Sequence, residues 1–203
     1  MENHEIELKF EVNYFEITKK LRERFNFVSS AYELTTMYDN KDQDLFKRDA
    51  RLRLRFIRDV VNQKEKAELS YKKPISREGI KIEEEIETSL TNYKAMQTLL
   101  SEMGFFEVSS YERIRDTYEH KGVKITVDTF PFGDYLEIEG ELINIRSIAI
   151  ELGLDLESNI PESCDDIYVR LCNERRVKPS EHIRFGVLEL ERRIDERKIY
   201  FSK

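Results

Sequence analysis

The chain has 203 residues, 39% hydrophobic and 37% charged, with a formal net charge of −7. That suffices for one sizeable core, and the acidic balance argues against a protein that wraps duplex nucleic acid. No run approaches the ~18 apolar residues of a membrane span, so no membrane partner is expected.

The opening MENHEIELKF lacks a basic region leading into an apolar one and reads as no secretory leader. Residues 5–11 alternate as a strand. A helix follows over 14–25, with Phe15, Ile17, Leu21 and Phe25 as its apolar stripe. Strands are predicted over 31–39, 50–59, 67–73 and 79–88. A helix over about 91–103 is closed by Gly104, and strands follow over 107–119, 123–129 and 134–140. His120-Lys121-Gly122 reads as a hairpin turn in which Gly122 supplies the positive φ. Helices are expected at 144–152 and 163–175, and the charged tail 181–198 also reads as helix. Cys164 and Cys172, eight apart in a predicted helix, read as reduced thiols of a cytoplasmic protein rather than a disulfide frame. The class is α+β, and eight strands is the number at which a sheet closes into a small barrel. Residues 1–180 read as one domain and 181–203 as a charged, helical extension.

Each strand carries charge on one face. Glu5, Glu7, Lys9 and Glu11 oppose Ile6, Leu8 and Phe10; Arg51, Arg53 and Arg55 oppose Leu52, Leu54 and Phe56. Ser70 and Lys72 share a face, as do Lys81, Glu83, Glu85 and Glu87, then Arg113 and Arg115, then Lys124, Thr126 and Asp128, then Glu137 and Glu139. On any single strand this is an ordinary solvated face. As a set it is different, because the signs are segregated by strand. Acidic pairs stand about 7 Å apart along a strand, and basic pairs do the same. Like charges so placed require a counter-charge. Clustered carboxylates suit Mg²⁺ or Mn²⁺, and clustered Arg and Lys suit phosphate. Both together point to a polyphosphate bound with its metals.

These residues resemble the CYTH superfamily, the triphosphate tunnel metalloenzymes. Glu5-Ile-Glu7-Leu-Lys9 is similar to the opening E-x-E-x-K motif. In order follow Thr36-Met-Tyr38-Asp39, Arg51-Leu-Arg53-Leu-Arg55, Leu69-Ser-Tyr-Lys72, Glu84-Glu85-Ile-Glu87-Thr88, Arg113-Ile-Arg115, Val127-Asp128 and Gly133-Asp-Tyr-Leu-Glu137-Ile-Glu139. The resemblance covers residues 5 to about 175. It departs at Glu83, where the family has arginine, with Lys81 on the same face as the substitute. The loop 40–48 also lacks the glycine many members place there.

The resemblance implies an eight-stranded antiparallel barrel, a tunnel that binds a triphosphate through Mg²⁺ or Mn²⁺. It implies Glu5, Glu7, Glu137 and Glu139 as metal ligands, with Glu85, Glu87 and Asp128 in or near the metal shell. Lys9, Arg53, Arg55, Lys72, Arg113, Arg115 and Lys81 form the phosphate grip, and Lys9, Glu5 and Glu7 lie at the chemistry. Without metal, the carboxylates of the first and last strands are expected to repel one another, some holding protons. The leading function is a metal-dependent triphosphatase acting on tripolyphosphate or a small organic triphosphate. The alternatives are a class IV adenylyl cyclase and a non-catalytic polyphosphate or nucleotide sensor. RNA 5′-ends are a weak further option, and a homodimer is compatible with the sequence.

Overall fold

Alternation of apolar and charged residues builds the strands, and the computed structural model describes residues 6–76 and 82–201, without the side chains of 74–76 and 82–83. In chain order the elements are β1 (Glu7–Glu11), α1 (Tyr14–Arg24), β2 (Asn26–Asp39), α2 (Asp44–Lys47), β3 (Arg51–Asp59), β4 (Glu65–Ser76) and β5 (Ile82–Leu90). Then come α3 (Tyr93–Glu102), β6 (Phe106–His120), β7 (Val123–Phe130), β8 (Gly133–Glu139), α4 (Leu142–Glu151), α5 (Cys164–Glu174), β9 (His182–Ile183) and α6 (Val187–Phe201). The sheet order is β1-β8-β7-β6-β2-β3-β4-β5, with β9 pairing β6 in parallel. The α+β class, the antiparallel sheet and the flanking helices are those expected. Among the described residues the hydrogen-bonded path ends at β1 and at β5.

The chain divides into two compact units. One contains Glu5–Ser30 and Arg113–Ser180, with β1, β8, β7 and part of β6. Its apolar strand face buries Phe10, Ile114, Ile125, Val127, Leu136 and Ile138 almost completely, each worth roughly 1.5–3 kcal/mol. Helix α1 packs on β7, and α4 packs on β8 and β1. The Asn13 side chain caps α1 by accepting from the Glu16 amide. The buried stripe of α1 is Tyr14, Ile17, Thr18 and Leu21, whereas Phe15 is exposed. The 3.6-residue period places Tyr14, not its neighbour, in line with Ile17 and Leu21. The turn Lys121-Gly122 has positive φ at both residues, 48° and 77°, which matches the twist of the hairpin it joins.

The other unit contains Ala31–Glu112 and the segment from Glu181 onward. Tyr38, Leu54 and Leu100 form its core, with Leu52, Leu69, Leu90, Tyr93, Met96 and Phe105 packed around them. Helix α3 lies on β3 and is capped by Asn92, which accepts from the Ala95 amide. Gly104, φ 85°, closes α3 as expected. The loop without glycine makes its left-handed turns with Gln43 and Asp49, at φ 54° and 56°. Asp39 holds that loop: its carboxylate accepts from the amides of Asn40, Leu45 and Phe46. Burial opposes the charge on Asp39, but those amides outweigh it and hold the pKa below the usual value.

Three features differ from the sequence reading. Strand β2 begins at Asn26, five residues early, because Phe25 turns extended straight from α1. Helix α2 is a single turn held by Asp39. The tail forms β9 before α6 begins at Val187, where Ser110 donates its amide to the Glu181 carbonyl.

Candidate phosphate and metal site

In the unit built on β1, β6, β7 and β8, strand register sorts the charged face into rows. Glu7 lies opposite Glu139, which lies opposite Lys124 and, beyond it, Glu119. The next row is Lys9, Glu137, Thr126 and Thr117. The third is Glu11, Tyr135, Asp128 and Arg115. Lys9 Nζ is 3.3 Å from Glu137 Oε1 and 3.8 Å from Glu7 Oε1, and donates to the Glu162 carbonyl at 2.9 Å. Arg115 donates from Nε to Asp128 at 2.6 Å and from Nη2 to Glu137 Oε2 at 2.7 Å. Arg113 donates to the second oxygen of Asp128 at 3.1 Å. Lys124 holds Glu139 at 2.9 Å.

This cluster is largely out of water: Asp128 is fully buried, and Lys9 and Arg113 nearly so. Burial pulls against the Lys9 ammonium, but Glu137 and Glu7 outweigh it and raise its pKa. Burial likewise pulls against the Glu137 carboxylate, yet Arg115, Lys9 and Arg113 bring its pKa down to about 2. The expected repulsion among carboxylates is therefore corrected at Glu137, which is ionised and clamped between two cations. Cys164, the first residue of α5, lies close enough to sense Arg113, Glu137 and Lys9. Burial and Asp165 push its thiol up to about 12, so it is no thiolate.

In the other unit, Arg53 lies opposite Ser70 and, through it, Glu87, while Lys72 lies between Arg51 and Glu85. Arg53 donates to Ser70 Oγ at 2.9 Å and to Glu85 at 3.2 Å, with Glu87 3.6 Å away. Lys72 Nζ is 2.8 Å from the second oxygen of Glu85. Arg55 donates to Thr35 Oγ1 at 3.1 Å and is 3.4 Å from Glu33. Glu33 and Thr35 are buried partners that the sequence reading passed over. The signal lies in the sequence: Glu33 and Thr35 alternate with Leu34 on β2, so both share one face. Lys73 turns to the opposite side and pairs with Glu84 at 2.8 Å. Glu5, Lys81 and the side chain of Glu83 lie outside the described residues.

The fit to a divalent cation rests on donor chemistry. Of the expected ligands, Asp128, Glu85 and Glu137 have oxygens engaged by Arg and Lys; Glu7 and Glu139 face each other across the β1–β8 pair, each with a lysine beside it, Lys9 at 3.8 Å and Lys124 at 2.9 Å. Hard carboxylate oxygens so paired suit Mg²⁺ or Mn²⁺. Among the described residues, no three carboxylate, imidazole or thiol side chains are already gathered as a metal cage.

The fold is an antiparallel α+β sheet whose charged face carries cations and carboxylates in ordered rows. Residues 3–181 match the CYTH domain family, and the chain belongs to it. A Methanocaldococcus jannaschii protein named "putative adenylate cyclase" is 25% identical over 170 residues, which is 80% of this chain and 93% of that protein. The structure of the PH1819 protein of Pyrococcus horikoshii superposes with a TM-score of 0.67 at 32% identity, covering 85% of this chain and 100% of that one. A Hippeastrum protein, described as a "putative adenylyl cyclase" with a dominant triphosphatase activity, shares the fold with a TM-score of 0.57 at 17% identity over 89% of this chain and 99% of its own. No helix among the described residues is long and apolar enough to cross a membrane.

Proposed function

We propose that this chain is a Mg²⁺- or Mn²⁺-dependent triphosphatase of tripolyphosphate or a small organic triphosphate. The observation that carries the reading is that each described cation of the expected grip already rests on a carboxylate. Lys9, Arg113 and Arg115 rest on Glu137 and Asp128; Arg53, Lys72 and Arg55 rest on Glu85 and Glu33. Such cations are aimed in advance, so phosphate oxygens exchange with carboxylate oxygens at little ordering cost. Glu7 and Glu139, with Glu5, would hold the divalent cation, which supplies charge neutralisation and a water activated at neutral pH. The chain's own cations neutralise the charge that spreads over the phosphoryl oxygens during transfer. Arg113 and Arg115 keep their orientation through Asp128. Family membership and the match over residues 3–181 support residues 1–180 as the catalytic domain, with the tail as an extension. Two free cysteines support a reducing, cytoplasmic location.

The name of the Methanocaldococcus jannaschii relative favours a second reading, ATP cyclisation with release of pyrophosphate. A panel of tripolyphosphate, thiamine triphosphate and ATP, with Mg²⁺ or Mn²⁺, assayed for phosphate, pyrophosphate and cyclic AMP, separates the two. Phosphate release from tripolyphosphate that stops with EDTA and returns with metal supports the triphosphatase. Cyclic AMP with stoichiometric pyrophosphate makes it a cyclase. Binding without turnover leaves the sensor.

A further inference from the structure

The middle row of the β1–β8–β7–β6 face contains a residue with no assigned role. Thr126 lies on β7 between Lys124 and Asp128, opposite Glu137 on one side and Thr117 on the other. It is 3% exposed, and its hydroxyl has no hydrogen-bond partner among the described residues. Its neighbours are engaged: Glu137 gives one oxygen to Lys9 and the other to Arg115, and Lys124 holds Glu139. A buried hydroxyl without a partner is destabilising, and valine would fill the same space on a strand without that cost. The hydroxyl therefore sits where its hydrogen bond is completed by something that enters the row.

We propose that Thr126 is a substrate-contacting residue whose hydroxyl donates a hydrogen bond to a non-bridging oxygen of the phosphate held by Lys9 and Arg115; this rests on the triphosphate reading above. Glu137 ties those two cations to one point, and Thr126 is its register partner, so a phosphate that displaces the carboxylate from Lys9 and Arg115 arrives beside the Thr126 hydroxyl. The contribution is uncharged. It fixes orientation without adding to the field of the grip, and so differs from that of every arginine and lysine around it.

The test is calorimetric titration of tripolyphosphate, in the presence of Mg²⁺, into the wild type, Thr126→Val and Thr126→Ser at low and high salt, with KM and kcat measured on the same proteins. Thr126→Val is expected to bind about tenfold more weakly at both salts, as loss of a hydrogen bond to a charged group implies. The salt dependence keeps its wild-type slope, because no charge is removed. Thr126→Ser is expected to recover affinity to within about twofold, since the hydroxyl is restored. The melting temperature of ligand-free Thr126→Val should equal or exceed that of the wild type. Unchanged Kd and KM in Thr126→Val overturn the inference, as does a Thr126→Ser as weak as the valine variant, which would assign the effect to packing. A Thr126→Val that fails to fold overturns it too, because the hydroxyl would then have a structural partner. If the wild type neither binds nor hydrolyses tripolyphosphate or ATP, the triphosphate reading falls and this inference with it. If the wild type binds and only the Thr126→Val prediction fails, the triphosphate reading stands alone.

Discussion

The two charged clusters are built from the same residue types and differ in how deeply they are sunk. In the Asp128–Glu137 cluster the side chains of Asp128, Arg113 and Lys9 are 1%, 6% and 8% exposed, rising to 16% at Arg115 and 20% at Glu137; around Glu85, those of Arg53, Lys72 and Glu85 are 18%, 20% and 24% exposed. Depth decides what each charge is for. A buried ion pair that loses one partner leaves an uncompensated charge in a poor solvent for it, whereas a half-exposed pair falls back on water. The Asp128 cluster therefore carries stability beside its proposed role, and the Glu85 cluster is the one proposed to exchange with a ligand more readily.

The sharpest way to break that comparison is Asp128→Asn. It removes the negative charge and replaces one of the two oxygens that Arg113 and Arg115 share with an amide donor, and chemical denaturation should record a loss of about 3–5 kcal/mol together with loss of turnover. Full stability in this variant would erase the distinction between the clusters. Glu137→Gln should cost less, on the order of 3 kcal/mol at neutral pH, since each pKa unit is worth ~1.4 kcal/mol. Its carboxyl falls from 4.5 to about 2 on folding. That stabilisation is complete above about pH 4.5 and is lost as pH falls toward 2. Denaturation curves between those pH values should accordingly be flatter for Glu137→Gln than for the wild type. A variant more stable than the wild type would restore the repulsion picture.

Why the sequence led toward repulsion is instructive. Period-two alternation revealed which residues share a face, and with it the Glu7/Glu139 and Lys9/Glu137 strands. It carries no information on register, and register decides whether a carboxylate meets a carboxylate or a lysine. One row places Glu7 against Glu139; the next, two residues on, places Lys9 against Glu137. The family resemblance likewise puts Asp128 in or near the metal shell, while its bond to both arginines depends on the β6–β7 pairing. Thr35 and Thr126 were harder still, since a hydroxyl on a charged strand has no sign to mark it. Helices α1 and α3 were legible because Asn13, Asn92 and Gly104 punctuate them locally.

In the shallower cluster, Arg53→Ala should move stability by less than about 1 kcal/mol. Of its partners, Glu85 retains Lys72. Its effect belongs to the substrate: KM for tripolyphosphate should rise at least about tenfold, the loss of one charge-assisted contact. A large drop in melting temperature with unchanged KM would make Arg53 structural and move its cluster into the same category as Asp128.

The smallest expected effect separates adjacent residues of one strand. Lys72 and Lys73 are consecutive on β4, so their side chains leave opposite faces of the sheet. Lys72 reaches Glu85 beside Arg53, and Lys73 reaches Glu84 with both side chains about half exposed. Each is a lysine on a glutamate at 2.8 Å, so the pairs look alike on distance alone. The environment around the two bonds differs: one lies among the cations proposed to take phosphate, the other is screened by solvent on a face without further basic residues of that grip. Lys72→Ala should raise KM for tripolyphosphate and reduce the rise in melting temperature that Mg²⁺ with tripolyphosphate produces in the wild type, because ligand stabilises only the folded state it binds. Lys73→Ala should leave KM, kcat and that ligand-induced rise as they are in the wild type. Were Lys73→Ala to lose affinity as Lys72→Ala does, the charged face of β4 would be the wrong one, and the exchange of carboxylate for phosphate proposed for the Glu85 cluster would lose its ground.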